Sequence, residues 1–465
     1  MSNPDDSSMP QHEAGDAATG GRGVVYGWFV VAVLVAASIL SYIDRQVIAI
    51  VVAPMKADLG VSDSQIGWLY GIFAIFYALA AIPIATLADR HARTRLIAIG
   101  IFLWSLATAS CAVARSFVQV LFARIAVGVG EATLVPAANS LIADSFPRNR
   151  VPLAVGVFMV GSTLGGGLAF VVGGSVLSLV EHAGRTQVPL FGEMSAWQQV
   201  FLACAVPGLL LAPLFLLLPE PLRRRQAAGG TGGASAAETL AFYRTNRATL
   251  LFHHSGFLCL SLMGFGFVFW TVSYFTRVHG MEAARAAQIF GLIQMVMGSL
   301  GSVWAPMLAA RLARRGRRDA NILGGMAGGA CAMIAIMLIQ LMPSAFWAFV
   351  LYVPAAFFAS SPFGLAYGSM PVIAPASMRA VVVAVFMCIV NLGMLLGPPI
   401  AGLFNERVFP EADGVRWSLL TLTPIFGLLG LGLLALGRRH YAASLDAAEA
   451  LERGAVPRCQ RLPDE

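Results

Sequence analysis

The stretch YGWFVVAVLVAASILSYIDRQVIAIVVA, residues 26–53, is apolar over its whole length apart from two adjacent charges, Asp44 and Arg45. A helix that crosses a membrane needs about 20 mostly apolar residues, and this stretch supplies them. On insertion scales, each charge costs roughly 2.5–3.5 kcal/mol at the centre of such a helix. Charged residues persist at that depth where they pair with one another or line a functional path, so the Asp44–Arg45 pair points to a site inside the membrane.

The composition of the whole chain agrees with this interpretation. Of its 465 residues, 58% are hydrophobic and only 12% are charged, whereas about 25% of the residues of an average soluble domain are charged. The net charge of +7 comes from arginines in short clusters between apolar runs. This is the charge pattern of membrane topology and not that of a nucleic-acid-binding surface. The sequence therefore predicts an all-α integral membrane protein.

Twelve apolar segments predict twelve spanning helices, too long and too uniformly apolar for the strands of a membrane β-barrel. With a cytosolic N-terminus, most of the 31 lysines and arginines fall in the inner loops and the tails, which predicts that both termini are cytoplasmic. The segments are approximately 27–53, 65–88, 95–114, 117–142, 153–180, 197–218, 249–276, 285–309, 321–342, 345–368, 379–404 and 418–437.

The spans group into two halves that echo each other. ATLADRHARTR (85–95) joins spans two and three, and PMLAARLARRGRR (306–318) joins spans eight and nine at a corresponding place in the second half. Such a repeat predicts two six-helix bundles packed face to face. The predicted units are a disordered cytosolic tail (1–25), an N-terminal bundle (26–222), a cytosolic linker (223–247), a C-terminal bundle (248–438) and a second cytosolic tail (439–465).

The first of these loops resembles the inner-loop signature of the major facilitator superfamily, G-x-L-a-D-R-x-G-R-[RK], although alanine stands at its two glycine positions. The acidic residue of the signature, Asp89, falls at a helix end, where it can accept charge-assisted hydrogen bonds from nearby arginines. We therefore predict a gating role for Asp89, Arg90 and Arg93. The alternative is a basic loop that only sets the topology.

Span four carries two further charges, Arg124 and Glu131. They are seven residues apart, so they lie on one side of a helix and about 10.5 Å apart along it. Their depths match that of the Asp44–Arg45 pair in span one, which predicts one cluster of two acids and two bases. A carboxylate that gains and loses an arginine partner acts as a proton switch. The alternative is a set of structural ion pairs.

The pattern YIDRQ in span one, together with R-x-x-x-G-x-G-E in span four, resembles the Spinster-like branch of the superfamily. The resemblance implies proton-coupled or facilitated export of lysolipids and sphingoid phosphates. It also implies proton coupling for Asp44 and Glu131, and contact with a phosphate headgroup for Arg45 and Arg124.

The second half offers apolar and aromatic candidates for the rest of a pocket. Phe267, Trp270 and Tyr274 share one face of span seven, span ten is expected to be broken by Pro362, and span eleven carries a lone amide, Asn391. Breaks at membrane depth often mark cavities. We predict that Trp270, Tyr274, Phe363 and Asn391 contact substrate. Ordinary core packing explains an aromatic face equally well.

Span five contains the glycine-rich stretch GSTLGGG (161–167), which resembles a motif of proton antiporters except that Gly166 replaces the usual proline. Close helix packing explains this stretch equally well. The six cysteines form no CxxC pair and the seven histidines show no ligand spacing, so we predict no metal or cofactor.

These observations together predict a secondary active transporter that works by alternating access and moves an amphiphilic, anionic, lipid-like substrate with protons. The predicted partners are the lipid bilayer, that substrate and protons, with no nucleic acid. The predicted state is a monomer in a bacterial inner membrane. The rivals are a carrier of small organic anions or drugs with the same fold and, more distantly, a non-transporting membrane scaffold. An enzyme is not expected because no nucleophile–base or metal constellation is present.

Overall fold

The computed structural model describes residues 21–147, 149–183, 186–188, 192–221, 236–375 and 377–454. Within these residues, twelve helical segments are long and apolar enough to cross a membrane. This confirms the predicted all-α membrane fold with twelve spans. Three parts of the predicted tails and linker lie outside the described residues: 1–20 of the first tail (1–25), 223–235 of the linker (223–247) and 455–465 of the second tail (439–465).

The first half contains spans one to six, with a short hairpin before the sixth. Its elements are α1 Gly21–Ile50, α2 Val52–Leu59, α3 Asp63–Arg90, α4 Arg93–Val113, α5 Phe117–Glu131, α6 Leu134–Ser145, α7 Val151–Ala183, β1 Thr186–Val188, β2 Gly192–Met194 and α8 Ala196–Leu217. The strands β1 and β2 pair antiparallel, with Thr186 opposite Met194. The helices α5 and α6 together make span four.

The second half contains spans seven to twelve, preceded by a short helix that begins within the predicted linker. Its elements are α9 Ala236–Thr245, α10 Arg247–His279, α11 Ala283–Ile293, a π-helical turn at Gln294–Gly298, α12 Ser299–Arg314, α13 Ala320–Gln340, α14 Ala345–Ile373, α15 Arg379–Arg407 and α16 Gly414–Gly454. The helix α16 continues past span twelve into the predicted tail, where Arg318 pairs with Asp446.

Two spans of the first half are interrupted near a proline. Pro136 has no N–H for the carbonyl of Ala132, and span four is interrupted there, between α5 and α6. Pro54 has the same relation to Ile50, where α1 ends. The first interruption leaves Glu131 as the last residue of α5, at the depth of the predicted charged cluster.

The expected break at Pro362 is wrong, because α14 runs without interruption from Ala345 to Ile373. Pro362 leaves the carbonyl of Phe358 without its helical partner, and the hydroxyl of Ser361 donates a hydrogen bond to that oxygen at 2.8 Å. A neighbouring side chain thus satisfies the backbone group that the proline frees, which is how membrane helices tolerate proline.

The two halves meet along two seams lined by glycine, one between α3 and α15 and one between α7 and α11. A methyl group on Gly67 would lie 2.6 Å from the backbone of Pro399, and one on Gly167 would lie 2.6 Å from the carbonyl oxygen of Gly291. Close approach of this kind is the packing that small residues permit in membranes. Gly167 ends the glycine-rich stretch of span five, so close packing accounts for that residue.

The ends of the bundles differ in charge. The end where α1 begins carries the arginine clusters at Arg90–Arg95 and Arg311–Arg318, and we call it the basic end. At the opposite end α3 begins at Asp63, and we call it the Asp63 end.

Candidate functional site

The charged cluster predicted from spans one and four forms where α1 passes α5. Asp44, Arg124 and Glu131 are all at most 2% exposed. The helices run in opposite directions, so Arg124 lies beside Asp44 while Glu131 lies beside Ser41 and Arg45. The structure thus brings the four predicted residues together.

Arg45 and Glu131 form the ion pair of this cluster. Arg45 Nε donates a hydrogen bond to Glu131 Oε2 at 2.7 Å, and the hydroxyl of Ser41 donates to the same oxygen at 2.5 Å. The Glu131 side chain is fully buried, whereas that of Arg45 is 16% exposed. Glu131 Oε1 has no hydrogen-bond partner among the described residues. The Arg45 side chain is therefore partly open to its surroundings, whereas the buried charge of Glu131 depends on Arg45 for compensation.

Aromatic rings surround the Arg45 guanidinium. Its Cζ lies 4.9 Å from the ring centroids of Tyr42, Phe73 and Tyr77. A guanidinium over an aromatic face gains about 0.5–2 kcal/mol, more when it is desolvated. The ring faces stabilise a cation at membrane depth. Glu131 takes one of the five N–H groups of the guanidinium, so Arg45 keeps donors for an anion.

Asp44 and Arg124 lie behind this pair. Arg124 Nη1 donates to the backbone carbonyl of Asp44 at 2.9 Å, and Arg124 is fully buried. Among the described residues, Asp44 Oδ1 and the Arg124 atoms Nε and Nη2 have no hydrogen-bond partner. Adjacent residues of a helix point about 100° apart, which explains why Arg45 faces the cavity and Asp44 does not.

The Arg45–Glu131 pair lines a cavity of about 390 Å³ between the halves, which we call the charged cavity. Within the described residues, Arg45 and Glu131 are the charged side chains of its wall. The other lining residues are Ser38, Ser41, Tyr42, Gln46, Tyr70, Phe73, Ala74, Tyr77, Leu134, Val135, Met159, Ser162, Phe265, Phe363, Tyr367, Met387, Val390, Asn391 and Met394.

A second cavity of about 240 Å³, the aromatic cavity, shares five residues with the first. The shared residues are Tyr42, Gln46, Ser162, Phe265 and Phe363. Its remaining wall is Gly166, Phe170, Gly264, Phe267, Val268, Gln294, Ile336, Tyr352, Ala355, Ala356, Ala359 and Ser360. The two cavities together form one space with a charged end and an aromatic end.

The four predicted substrate contacts separate into two pairs. Phe363 lines both cavities and Asn391 lines the charged one. Trp270 and Tyr274 line neither cavity. Trp270 Nε1 donates to the carbonyl of Pro398 at 2.9 Å, and the Tyr274 hydroxyl donates to that of Ile339 at 2.8 Å.

At the Asp63 end, a polar network joins the halves. Arg277 donates two hydrogen bonds to the buried Asp63 carboxylate, at 2.6 and 2.9 Å, and Asn405 donates a third at 2.9 Å. Lys56 also pairs with Asp63. Asp63 belongs to the first half, while Arg277 and Asn405 belong to the second, so the network holds this end closed.

At the basic end, Arg93 holds spans of the first half together. Its Nε donates to Glu220 at 2.7 Å, and Nη1 bonds both Asp144 and the carbonyl of Ser140. Arg90 is exposed, and the Asp89 side chain lies outside the described part of the chain. The predicted gating role of these residues stays a prediction, and the three partners of Arg93 named above belong to its own half.

Sequence analysis missed several of these residues. Tyr42 and Gln46 flank the charged pair on α1, and Phe73 and Tyr77 are four residues apart on α3, a spacing that places them on one helix face. Asp63 follows Ser62, whose capping box with Gln65 makes the region look like an ordinary helix start. Within the described residues, no group of three histidine, cysteine or acidic side chains could hold a metal ion.

The geometry of two packed bundles around a central cavity agrees with the comparisons of the sequence. Residues 34–398 match the family model of the Major Facilitator Superfamily. The chain is 28% identical over 299 residues to an MFS-type efflux pump of Mycolicibacterium smegmatis, covering 63% of this chain and 64% of the pump. It is 28% identical over 290 residues to the sphingosine-1-phosphate transporter SPNS2 of Mus musculus, covering 58% of this chain and 50% of that one.

A solved structure resembles the whole fold. It is a bacterial homologue of the human lysosomal transporter Spinster, in an inward-facing and unoccupied conformation, with a TM-score of 0.78 and 26% identity. The match covers 90% of this chain and 98% of that one. The chain therefore belongs to the Major Facilitator Superfamily and resembles its Spinster members.

Proposed function

We propose that the chain is a secondary active transporter that moves an amphiphilic anion together with protons by alternating access. The observation that carries this proposal is the Arg45–Glu131 pair in the wall of the charged cavity. Arg45 is the cation in that wall on which an anionic group would settle, and its present partner is a carboxylate of the protein.

Substrate and Glu131 would therefore compete for Arg45. When an anion takes the Arg45 donors, Glu131 is left in a fully buried place without its cation. A buried ionised carboxylate is costly unless it is paired, so Glu131 takes up a proton instead. Release of the anion restores the ion pair and expels the proton. In this mechanism one proton and one anion move in the same direction, and Asp44 and Arg124 hold the pair in place from behind.

The shape of the space favours an amphiphile. The charged cavity suits an anionic head, and the aromatic cavity beside it is walled by Phe170, Phe265, Phe267 and Val268, which suits an alkyl tail. The similarity to a sphingosine-1-phosphate transporter supports a lysolipid or a sphingoid phosphate as the substrate class. We further propose a monomer in a bacterial inner membrane, with both termini cytoplasmic.

The test is transport into sealed liposomes that contain the purified protein. We expect a pH gradient across the liposome membrane to concentrate labelled lysophosphatidic acid or sphingosine 1-phosphate inside the liposomes above the external level. We expect Arg45→Ala to abolish this uptake. Glu131→Gln should keep exchange of labelled for unlabelled substrate and lose accumulation under the gradient, because its side chain carries no titratable proton. Arg407→Ala, at an exposed arginine of the Asp63 end, is the matched control.

The outcomes separate the parts of the proposal. If the wild type moves none of these lipids with or without a gradient, lipid transport is wrong. If Glu131→Gln accumulates substrate as the wild type does, Glu131 is not the coupling group. The same test on Asp44→Asn then shows whether Asp44 couples transport to protons.

A carrier of small organic anions or drugs is the second candidate. The volume of the charged cavity falls in the range of drug-sized sites, and the similarity to an efflux pump favours it. Uptake of labelled sugar acids or aromatic acids in the same liposomes, abolished by Arg45→Ala and absent for the lipids, would favour this candidate over the first.

A further inference from the structure

The aromatic cavity contains two glutamines, one from each half of the protein. Gln46 comes from α1 and Gln294 from the π-helical turn of span eight, and both line this cavity. Each has a tyrosine partner. The Tyr70 hydroxyl donates to Gln46 Oε1 at 3.3 Å, and the Tyr352 hydroxyl donates to Gln294 Oε1 at 2.5 Å.

The two tyrosines fix what the glutamines offer. A glutamine side chain has an acceptor oxygen and a donor NH₂ group. Because both oxygens already accept from a buried tyrosine, the NH₂ groups remain as donors at the cavity. Tyr70 and Tyr352 are at most 1% exposed, so these partners are held by the surrounding protein.

The local backbone makes room for the Gln294 donor. The π-helical turn Gln294–Gly298 interrupts the α-helix of span eight, and such turns are frequent at functional sites. A methyl group on Gly298 would lie 2.8 Å from Gln294 Nε2 and 3.0 Å from Ser360 Oγ. The absence of a side chain at Gly298 therefore lets the amide and the Ser360 hydroxyl approach the same point.

The wall of the aromatic cavity is polar here without being charged. Among the described residues that line it, none is an acid, a lysine or an arginine. Two amide donors without a cation suit an uncharged acceptor such as an ester carbonyl or a hydroxyl oxygen. An anionic group finds its cation at Arg45, in the adjoining charged cavity.

We infer that Gln46 and Gln294 form a subsite for an uncharged hydrogen-bond acceptor that lies between the anionic head and the alkyl tail of the substrate. This inference rests on the proposed function and narrows its substrate class. It selects acyl-glycerol phosphates and other amphiphiles with a polar linker over simple alkyl phosphates.

The test compares three soluble ligands with the same eight-carbon chain: 1-octanoyl lysophosphatidic acid, octyl phosphate and monooctanoylglycerol. Binding is measured by calorimetry on the full chain in lipid nanodiscs. We expect the wild type to prefer the lysophosphatidic acid to octyl phosphate by about tenfold, as two hydrogen bonds to neutral groups would give. Gln294→Leu should weaken lysophosphatidic acid by about fivefold and leave octyl phosphate unchanged.

Two further variants keep the result interpretable. Gln294→Leu leaves the buried Tyr352 hydroxyl without its partner and can destabilise the protein. The double variant Gln294→Leu with Tyr352→Phe removes both partners. It should lose the preference for lysophosphatidic acid over octyl phosphate as the single variant does. Gln288→Leu is the matched control, because Gln288 lies on α11 and lines neither cavity.

Each outcome has one meaning. If both phosphates bind and Gln294→Leu weakens them equally or not at all, the subsite is wrong and the proposed function stands. If only monooctanoylglycerol binds, and does so through Gln294, the subsite stands and the anionic substrate is wrong. If no ligand binds, both are overturned.

Discussion

A single step along the chain separates two different environments at Asp44 and Arg45. Helical geometry turns one side chain about 100° from the next. Arg45 therefore reaches the cavity through a ring of aromatic side chains, while Asp44 points to the buried side where Arg124 lies. The same geometry gives Arg45 its chemistry, because the aromatic rings stabilise its charge and Glu131 occupies only part of its planar donor set.

Arg45→Lys tests this geometry at constant charge. Lysine lacks the planar fork of donors and the Nε that bonds Glu131, so we expect the affinity for an anionic ligand to fall about tenfold. Ligand titration by tryptophan fluorescence measures it, with Arg407→Lys as control. Unchanged affinity in Arg45→Lys would mean that only the charge matters and that the stacked guanidinium has no special role.

Trp270→Phe separates a packing residue from a substrate contact. Because Trp270 is fully buried and donates to the Pro398 carbonyl, its loss should lower stability by about 1–3 kcal/mol. We expect ligand affinity to stay the same, since Trp270 lines neither cavity. Thermal unfolding and ligand titration on one preparation check both. Weaker binding at unchanged stability would restore the predicted role of Trp270 as a tail contact.

At the scale of elements, the halves are joined where helices have no side chains to keep them apart. On α3, methyl groups at Gly67 and Gly71 would both meet the backbone of α15. Backbone cannot move aside as the end of a flexible side chain can. The α3–α15 seam and the Asp63 network therefore act together to keep this end of the cavity closed.

Gly67→Ala should open the Asp63 end. The added methyl group would lie 2.6 Å from the Pro399 backbone, so we expect the equilibrium to shift toward states in which α3 and α15 are apart. Spin labels at Arg115→Cys and Arg407→Cys, one exposed position at this end in each half, would report a longer distance in a cysteine-free background. Gly166→Ala is the control, because a methyl group there meets nothing within 4 Å. An unchanged distance distribution in Gly67→Ala would show that the seam does not control closure.

Glu220 links α4 to the end of α8 and should make stability depend on pH. Burial raises the pKa of Glu220, but hydrogen bonds from Thr94 and Arg93 outweigh it and hold the pKa below its ordinary value of 4.5. A carboxylate with a lowered pKa stabilises the folded state above its unfolded pKa and loses that effect as the pH falls through its folded pKa.

Glu220→Gln should therefore lower the stability at pH 7, by about 1–2 kcal/mol for a hydrogen-bonded charge. Near pH 3 the wild type and the variant should converge. Thermal unfolding in detergent at both pH values measures this, and Glu411→Gln, at an exposed acid, serves as the control. A difference of the same size at both pH values would exclude the ionised Glu220 as its source.

For the whole molecule, the sequence predicts those features that depend only on distance along the chain. Span length and hydropathy predict the twelve helices, and the number of residues between Arg124 and Glu131 predicts their depths. The pairing of Arg45 with Glu131, and of Arg124 with the Asp44 backbone, depends on how α1 is rotated against α5. The Asp63–Arg277 ion pair joins the two halves of the chain, and Gln46 and Gln294 line one cavity from different halves. No local sequence pattern predicts either arrangement. In the continuous helix α14, the Ser361 hydroxyl bonds the Phe358 carbonyl that Pro362 leaves free. The expectation that a proline breaks a helix does not take such a hydrogen bond into account.

The last prediction concerns how the molecule sits in its membrane. Arginines cluster at the basic end, and positive loops remain on the cytoplasmic side during insertion. We therefore expect green fluorescent protein fused to the C-terminus to fluoresce and alkaline phosphatase fused there to be inactive. Phosphatase fused after Arg115, at the Asp63 end, should be active. With this orientation the closed Asp63 end, where Arg277 and Asn405 bond Asp63 across the halves, faces outward. Active phosphatase at the C-terminus would reverse both the topology and the direction in which the closed state faces.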